Sequence, residues 1–466
     1  MRDQASHDQA SLGRRDFLGG VAAASVLGAG TLARSAAAGA QPVARAGRPQ
    51  TAPGHAPSGR AQARTVRFGV NYTPSKNWYY SWTDWDAASI QADLADITAL
   101  GMDHIRIMML WPDLQPNEAY QRAEIIDRLY AFLDLADQAD LDVEVTVLNG
   151  QVSGFLFVTP WLLSGSTGAM TNFFTDSGSI TAQQNLFTAL AAKIGSHPRF
   201  LGFDLSNEIY WFTMPFGIDI APATGDAWAT TMFATAEQVA PGKLHVNGTD
   251  HYPWLNNDYF SRPGLANSGT LTANHTWAGW TNVLTAFGGM STESLHYSEY
   301  FIELIKAFQT DLTRDVWIEE TGMSESWMAA SKIPGWTELS IRNMVSSSNL
   351  WGITWWCSHD PSTRFTGFNP IEYSLGLYTS DRKLKPIGKT MQKLIAEYDQ
   401  APPQPLARPD ALVLPDSMIP WMPFFKPFMN LIKQGTRPAV VLESMSTDSA
   451  YLAARGITTL IQLSQA

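Results

Sequence analysis

The sequence predicts an α/β protein, a (β/α)8 (TIM) barrel with a small C-terminal α/β extension, on three observations. Short apolar strand-like runs alternate with helical stretches eight times between residues 65 and 400. No Gly-rich phosphate loop follows the first of these strands, which argues against a nucleotide-binding doubly wound sheet. Two of the strands end in a glutamate, and strand ends are where an α/β barrel keeps its chemistry.

Residues 1–40 read as a twin-arginine export signal and are set apart from the fold. Gly13-Arg14-Arg15-Asp16-Phe17-Leu18 carries the arginine pair, a mildly apolar stretch runs from Leu18 to Leu32, and Ala38-Gly39-Ala40 fits a cleavage site. The stretch falls short of the ~20 apolar residues a membrane span needs. Residues 41–64, rich in Pro, Gly, Ala and Arg, offer almost nothing to bury and predict a disordered tether.

The barrel then occupies residues 65–400. Val66 to Tyr72 is strand one, and Asp86 to Leu100 has the apolar spacing of an amphipathic helix closed by Gly101. Strand two is His104 to Met109, with its helix over Ala123 to Ala139; strand three is Asp142 to Leu148, with a helix over Ala182 to His197. Phe200 to Leu205 is strand four, followed by a helix over Asp226 to Val239. Leu244 to Asn247 and Leu271 to His275 are strands five and six, and a helix covers Thr292 to Asp311. Val316 to Glu320 is strand seven and Gly352 to Trp356 strand eight, with helices over Trp336 to Val345 and Pro386 to Tyr398. Residues 401–466 open with the Pro-rich APPQPLARP. They then show strands at Ala411 to Leu414 and Ala439 to Leu442 around a helical stretch at Trp421 to Ile432. So small a segment cannot bury a core alone and is expected to pack on the barrel.

Composition narrows the function. Residues 1–64 hold eight Arg against three Asp although the whole chain has a net charge of −11, so the rest of the chain is strongly acidic. That sign opposes binding of nucleic acid or an anionic membrane surface once the signal is removed. The 17 Trp, 14 Tyr and 22 Phe exceed what a core requires and point to a surface for a flat ligand. One cysteine, Cys357, leaves no intramolecular disulfide and no cysteine metal cluster, and its apolar run marks it as a core residue.

The chemistry concentrates at two strand ends. Strand four closes in Asn207-Glu208 and strand seven in Glu319-Glu320-Thr321-Gly322. Two carboxyl groups about 5 Å apart, one protonated and one ionised, are what glycosidic hydrolysis with retention needs. Alternation along a strand lets one of Glu319 and Glu320 face the barrel mouth; the following Gly favours Glu320, leaving Glu319 for the helix layer or a salt bridge. Neither a His-x-His at the end of strand one nor an HExxH occurs, so no metal and no cofactor is expected.

These residues resemble the retaining glycoside hydrolases of clan A, most nearly the cellulase-like glycoside hydrolase family 5, over roughly Arg67 to Tyr398. The resemblance implies Glu208 as general acid/base, Glu320 as nucleophile and Asn207 as a hydrogen bond to the sugar 2-hydroxyl. It also implies Arg106 on strand two beside the nucleophile, and Trp356 or Trp355 on strand eight as the floor of a sugar subsite. Family 5 shows His-x-Tyr after strand six; this chain has His275-Thr276-Trp277, leaving the hydroxyl beside the nucleophile unassigned, with His251-Tyr252 as a competing supplier. Either histidine could instead be structural.

Aromatic residues complete the candidates. Asn77 to Asp86 holds five rings in ten residues, so Trp78, Tyr79, Tyr80 and Trp82 read either as subsite walls or as a loop-capping cluster. The same choice applies to Tyr210, Trp211, Trp277 and Trp280. Asn149 reads as a polar sugar contact or a turn residue beside Gly150. The expected protein is an exported hydrolase of β-mannan- or β-glucan-type saccharides. An exo-glycosidase acting on β-galactosides or β-mannosides and a noncatalytic carbohydrate-binding barrel are the alternatives.

Overall fold

The computed structural model describes residues 64–165, 167–417 and 421–466; the expected export signal and all but the last residue of the expected tether lie outside them. Arg64, assigned from sequence to the tether, is anchored by ion pairs to Asp103 at 2.7 Å and Asp399 at 2.6 Å, so it belongs with the barrel.

Eight parallel strands wind into the barrel: Arg67–Asn71, His104–Leu110, Asp142–Asn149, Phe200–Asn207, Val246–Gly248, Thr272–His275, Val316–Thr321 and Leu350–Trp356. Each is buried along nearly its whole length, as expected where helices cover the outside and side chains fill the inside. Pairing is continuous from strand five through strand one to strand six. The remaining seam, between strands five and six, is bridged by single hydrogen bonds. His275 N–H donates to the Thr249 carbonyl at 2.8 Å, and Thr270 N–H to the His245 carbonyl at 2.8 Å.

The helices form the outer layer because their apolar stripes match the sheet. Ala87–Ala99 starts at Asp86, whose carboxylate caps Ser89 N–H, and buries Ile90, Leu94 and Ile97. Ala123–Gln138 buries Ile125, Leu129, Phe132 and Leu133 with the same spacing. The helix expected from Trp336 starts at Ile333, and three other helical boundaries differ more from the sequence reading. Ser177–Ile194 begins earlier because Asp176 caps it, Pro222–Val239 begins earlier on a proline suited to the first turn, and the stretch from Thr292 divides into Thr292–Leu295 and Tyr297–Phe308. A short hairpin, Gln151–Val152 with Phe155–Leu156, follows strand three and is too brief to show a sequence period.

Residues 410–461 form a three-stranded parallel sheet with Asp410–Leu414 between Ala439–Leu442 and Thr459–Ile461, the last of these unrecognised in the sequence. Phe425 and Phe428 of its helix Met422–Lys433 pack on Tyr300, and the apolar core runs without a break from barrel to extension. Charge reinforces the joint. Arg408 meets Glu299 at 2.6 Å and Glu303 at 3.4 Å, and Arg437 meets Glu299 at 2.7 Å, all on helix Tyr297–Phe308. Burial pushes the Glu303 carboxyl up, but Lys306, Arg408 and Arg455 more than reverse that and hold it down to about 2. Arg408→Ala should therefore destabilise the protein by about 3 kcal/mol in urea unfolding, because it strips a buried ion pair of one partner. Since the folded pKa of Glu303 is depressed, its contribution is present above the unfolded value of about 4.3 and is lost as pH falls toward the folded value; the difference between wild type and Arg408→Ala should shrink in that window.

Candidate active site

The mouth of the barrel gathers charge around one guanidinium. Arg106, from the middle of strand two, is fully buried. Its Nη1 donates to Glu320 Oε1 at 2.6 Å and to Asn71 Oδ1 at 3.1 Å, and its Nη2 to Asp204 Oδ2 at 2.6 Å and Asn207 Oδ1 at 3.1 Å. Glu319 Oε1 lies 3.1 Å from Nε. Gly248, at the end of strand five, makes room for this cage, since a Cβ there would come within 2.7 Å of Arg106 Nη2 and 2.9 Å of Glu319 Oε2.

Glu208 and Glu320 converge from strands four and seven. One oxygen of each and a ring nitrogen of His275 lie within 4.8 Å of one another. His275 Nδ1 is 2.7 Å from Glu208 Oε1 and 3.4 Å from Glu320 Oε2. Glu208 begins the short helix Ile209–Thr213 in a left-handed conformation, φ 44° and ψ 49°, and its N–H donates to the Gly248 carbonyl at 2.8 Å. That turn of the chain brings its carboxyl over the mouth; non-glycine residues held this way cluster at functional sites.

The two glutamates sit in unlike surroundings. Burial raises the Glu208 carboxyl well above the usual range, and Asp250 and Glu320 push it further. Burial also raises Glu320, but there His275 and Arg106 pull against it, so the upward shift is opposed where that of Glu208 is reinforced by Asp250 and Glu320. The indole N–H of Trp277 donates to Glu320 Oε2 at 3.2 Å. The group beside Glu320 is thus an indole and not a hydroxyl. Tyr252, the competing supplier, sends its hydroxyl to Asp258 Oδ2 at 3.0 Å, and His251 Nδ1 lies 3.5 Å from Asp250, so neither is directed at Glu320.

Glu319 does not face the helix layer. Asn274 pairs with Ile318 and His275 with Glu320, so Glu319 is the extra residue of a bulge, and successive side chains both turn inward. Its Oε2 meets His275 Nε2 at 3.1 Å. Asn207 is oriented as Arg106 requires, because a guanidinium only donates: Oδ1 faces the arginine, and Nδ2 donates to the Gln151 carbonyl at 3.1 Å. Both polar atoms of Asn149 are buried without a hydrogen-bond partner among the described residues.

The aromatic candidates separate cleanly. Trp356 packs at the mouth with Trp277, Trp78 and Tyr79. Trp355 points the other way, fully buried, with its indole N–H on the Leu375 carbonyl at 3.0 Å; it is a core residue and not a subsite floor. Trp78 is only 2% exposed, boxed in by Tyr79, Phe155 and Phe368, and Trp82 donates to the Met108 carbonyl. The loop after strand one is therefore a capping cluster, with Tyr80 alone of its four candidate rings exposed. Tyr210 and Trp211 are tied to Asp250 at 2.5 and 3.1 Å, while Trp280 is exposed and stands edge-on to Trp327.

Several members of the site escaped the sequence reading. Asp204 lies inside the apolar run of strand four, and a charge in a buried strand is itself the signal that would have found it. Asp250 orders the loop after strand five, and Glu372, beyond strand eight, accepts from Ser153 at 3.0 Å and bonds Trp356. Neither has a local sequence signature.

An eight-stranded barrel with paired carboxylates on strands four and seven defines the class of retaining glycoside hydrolases. The family model for cellulase, glycosyl hydrolase family 5, matches residues 64–361, and the chain belongs to that family. It is similar to the GH5_18 enzyme of Streptomyces cattleya, solved with GlcNAc, at 34% identity and a TM-score of 0.82, covering 86% of this chain and 99% of that one. A GH5_18 protein of Bifidobacterium longum subsp. infantis is 30% identical with a TM-score of 0.81, over 85% of this chain and 96% of that one. The exo-beta-1,4-mannosidase Op5Man5 of Opitutaceae bacterium strain TAV5 shares the fold at 20% identity and a TM-score of 0.69, over 84% and 71% of the two chains. No curated protein matches the chain.

Proposed function

We propose that this protein is an exo-acting retaining β-mannosidase that releases mannose from short saccharides ending in Manβ1-4GlcNAc. The carrying observation is the Glu208–His275–Glu320 cluster within 4.8 Å, a separation suited to double displacement and too short for a water between the carboxyls. The Glu320 carboxylate attacks the anomeric carbon as the glycosidic C–O bond breaks, and Glu208 gives its proton to the leaving oxygen. Glu208 then takes a proton from the water that hydrolyses the glycosyl-enzyme. Arg106 and the Trp277 N–H favour the charged form of Glu320 against the burial that raises it, while Glu208 is raised well above the usual range by burial and by Asp250 and Glu320, so the two environments suit these roles. Trp356 supplies the apolar floor, and the unpartnered amide of Asn149 offers a donor and an acceptor to sugar hydroxyls.

The choice of sugar rests on likeness: GH5_18 proteins of Streptomyces cattleya and Bifidobacterium longum were solved with Manβ1-4GlcNAc, and this chain is 34% and 30% identical to them. Crowding by Trp78, Phe155 and Phe368 on one side of the mouth favours a short ligand over a polymer. Incubation with Manβ1-4GlcNAc should release mannose whose first-formed anomer, by proton NMR, is β. β-Mannan and β-glucan should be cut slowly and only from an end; internal cleavage of either polymer would return the endo-hydrolase reading, and an α-anomer would exclude double displacement.

We also propose that the protein leaves the cytoplasm through the twin-arginine route, on the strength of Arg14-Arg15 and the stretch that follows. Replacing both arginines by lysine should hold the full-length precursor in the cytoplasmic fraction, seen by immunoblot.

A further inference from the structure

Beneath the carboxylate pair lies a chain of contacts that the double displacement does not itself call on. Glu208 Oε1 is 2.7 Å from His275 Nδ1, His275 Nε2 is 3.1 Å from Glu319 Oε2, and Glu319 Oε1 is 3.1 Å from Arg106 Nε. The imidazole is fully buried between the two carboxyls. We propose that Glu319 is a positioning residue: it fixes the tautomer of His275, and through it decides which oxygen of Glu208 carries the catalytic proton. This rests on the reading of Glu208 as acid/base.

The argument is a count of hydrogens. Burial holds the imidazole down to about 4, so at neutral pH the ring is neutral and has one N–H for two carboxyl neighbours. The Arg106 Nε hydrogen goes to Asp204 Oδ2 at 3.1 Å, but the guanidinium still stands 3.1 Å from Glu319 Oε1 and opposes a proton there, so any proton on Glu319 sits on Oε2, facing Nε2. When Glu319 is protonated it donates to Nε2, the ring hydrogen is on Nδ1, and Glu208 Oε1 is occupied as an acceptor. The proton of Glu208 then sits on its other oxygen, free for the glycosidic oxygen. When Glu319 is ionised the ring hydrogen moves to Nε2. Bare Nδ1 then draws the Glu208 proton onto Oε1, away from the reacting bond.

The surroundings put this exchange in a working range. Burial pushes Glu319 up to about 7 against the pull of Arg106. Asp204, raised to about 6, Glu144, raised well above the ordinary range, and Glu320 also face this cluster, and four carboxyls cannot all ionise around one arginine. On the Glu208 side the facing groups are Asp250, Glu320, Arg106 and Glu372.

Glu319→Gln separates the idea from a merely structural role. The positive guanidinium 3.1 Å away repels amide hydrogens and attracts the carbonyl oxygen, so the amide donates to Nε2 and locks hydrogen on Nδ1. Nitrogen-15 NMR of His275, assigned by difference from His275→Asn, should show Nδ1–H at pH 5.5 in the wild type, passing to Nε2–H by pH 8.5, and Nδ1–H at both pH values in Glu319→Gln. The alkaline limb of kcat/KM should move at least tenfold in proton concentration toward higher pH in Glu319→Gln, with the acidic limb unchanged. An Nε2–H tautomer at pH 5.5 in the wild type, or an unmoved alkaline limb in the variant, overturns the proposal. The wild-type spectrum stands even if the variant does not fold. Failure of the acid/base reading shows separately, as Glu208→Ala retaining its activity on a substrate with a poor leaving group.

Discussion

Glu320→Ala should lower kcat/KM on an activated aryl β-mannoside by roughly 10⁴-fold or more, the scale on which removal of a covalent nucleophile is felt. The fold should survive, because Glu320 sits at a strand end and its neighbours keep their own partners: Arg106 retains Asp204 and Asn207, and His275 retains Glu208 and Glu319. Azide should restore turnover by entering the space left by the carboxylate, giving a glycosyl azide of inverted configuration. The neighbouring Glu319→Ala offers a sharp contrast, since it should yield no azide adduct. Glu208→Ala should differ from both, losing little on a dinitrophenyl glycoside whose leaving group needs no proton and orders of magnitude on Manβ1-4GlcNAc. Full activity in Glu320→Ala would move the nucleophile elsewhere.

Arg106→Met should be costly to stability and activity together. It leaves Asp204, Glu319 and Glu320 facing one another in a buried space with their shared cation gone. Breaking a buried ion pair from one side costs about 3–5 kcal/mol, enough to lower the melting temperature by about 4–6 °C in a folded unit of about 400 residues. The carboxyls that remain would hold protons more tightly when folded than when unfolded. A raised carboxyl pKa makes the folded state the greater proton binder, so the variant should regain stability as pH falls from 8 toward 5 and lose it as pH rises. With Glu320 protonated, activity should fall by several orders of magnitude at neutral pH. An unchanged melting temperature at pH 8 would mean that the cage is not organised by this guanidinium.

The barrel was legible because its signals are local and repeated. Strands such as Phe200–Asn207 are short apolar runs, helices such as Ala123–Gln138 repeat with the helical period, and each is cut off by its own turn residues. The carboxylate pair was legible for the same reason, as Glu208 and Glu320 each close a strand. What stayed hidden depends on which strand lies beside which. The bulge at Glu319 exists only in the pairing of strand seven with its neighbours, so alternation along one strand could not show that Glu319 and Glu320 both face Arg106. The ring of Trp78 looked available until Phe155 and Phe368, distant in the chain, closed around it.

The sequence by itself thus determined the eight barrel strands, their order, and the two glutamates that close strands four and seven. Periodicity and chain termini of strands are properties of neighbours along the chain, and they need no tertiary contact to be read. Only the tertiary structure decided that an indole from Trp277 stands beside Glu320, that Trp355 belongs to the core, and that His275 is shared between Glu208 and Glu319. Those outcomes turn on ångström-scale approaches between residues dozens of positions apart, set by how the barrel closes.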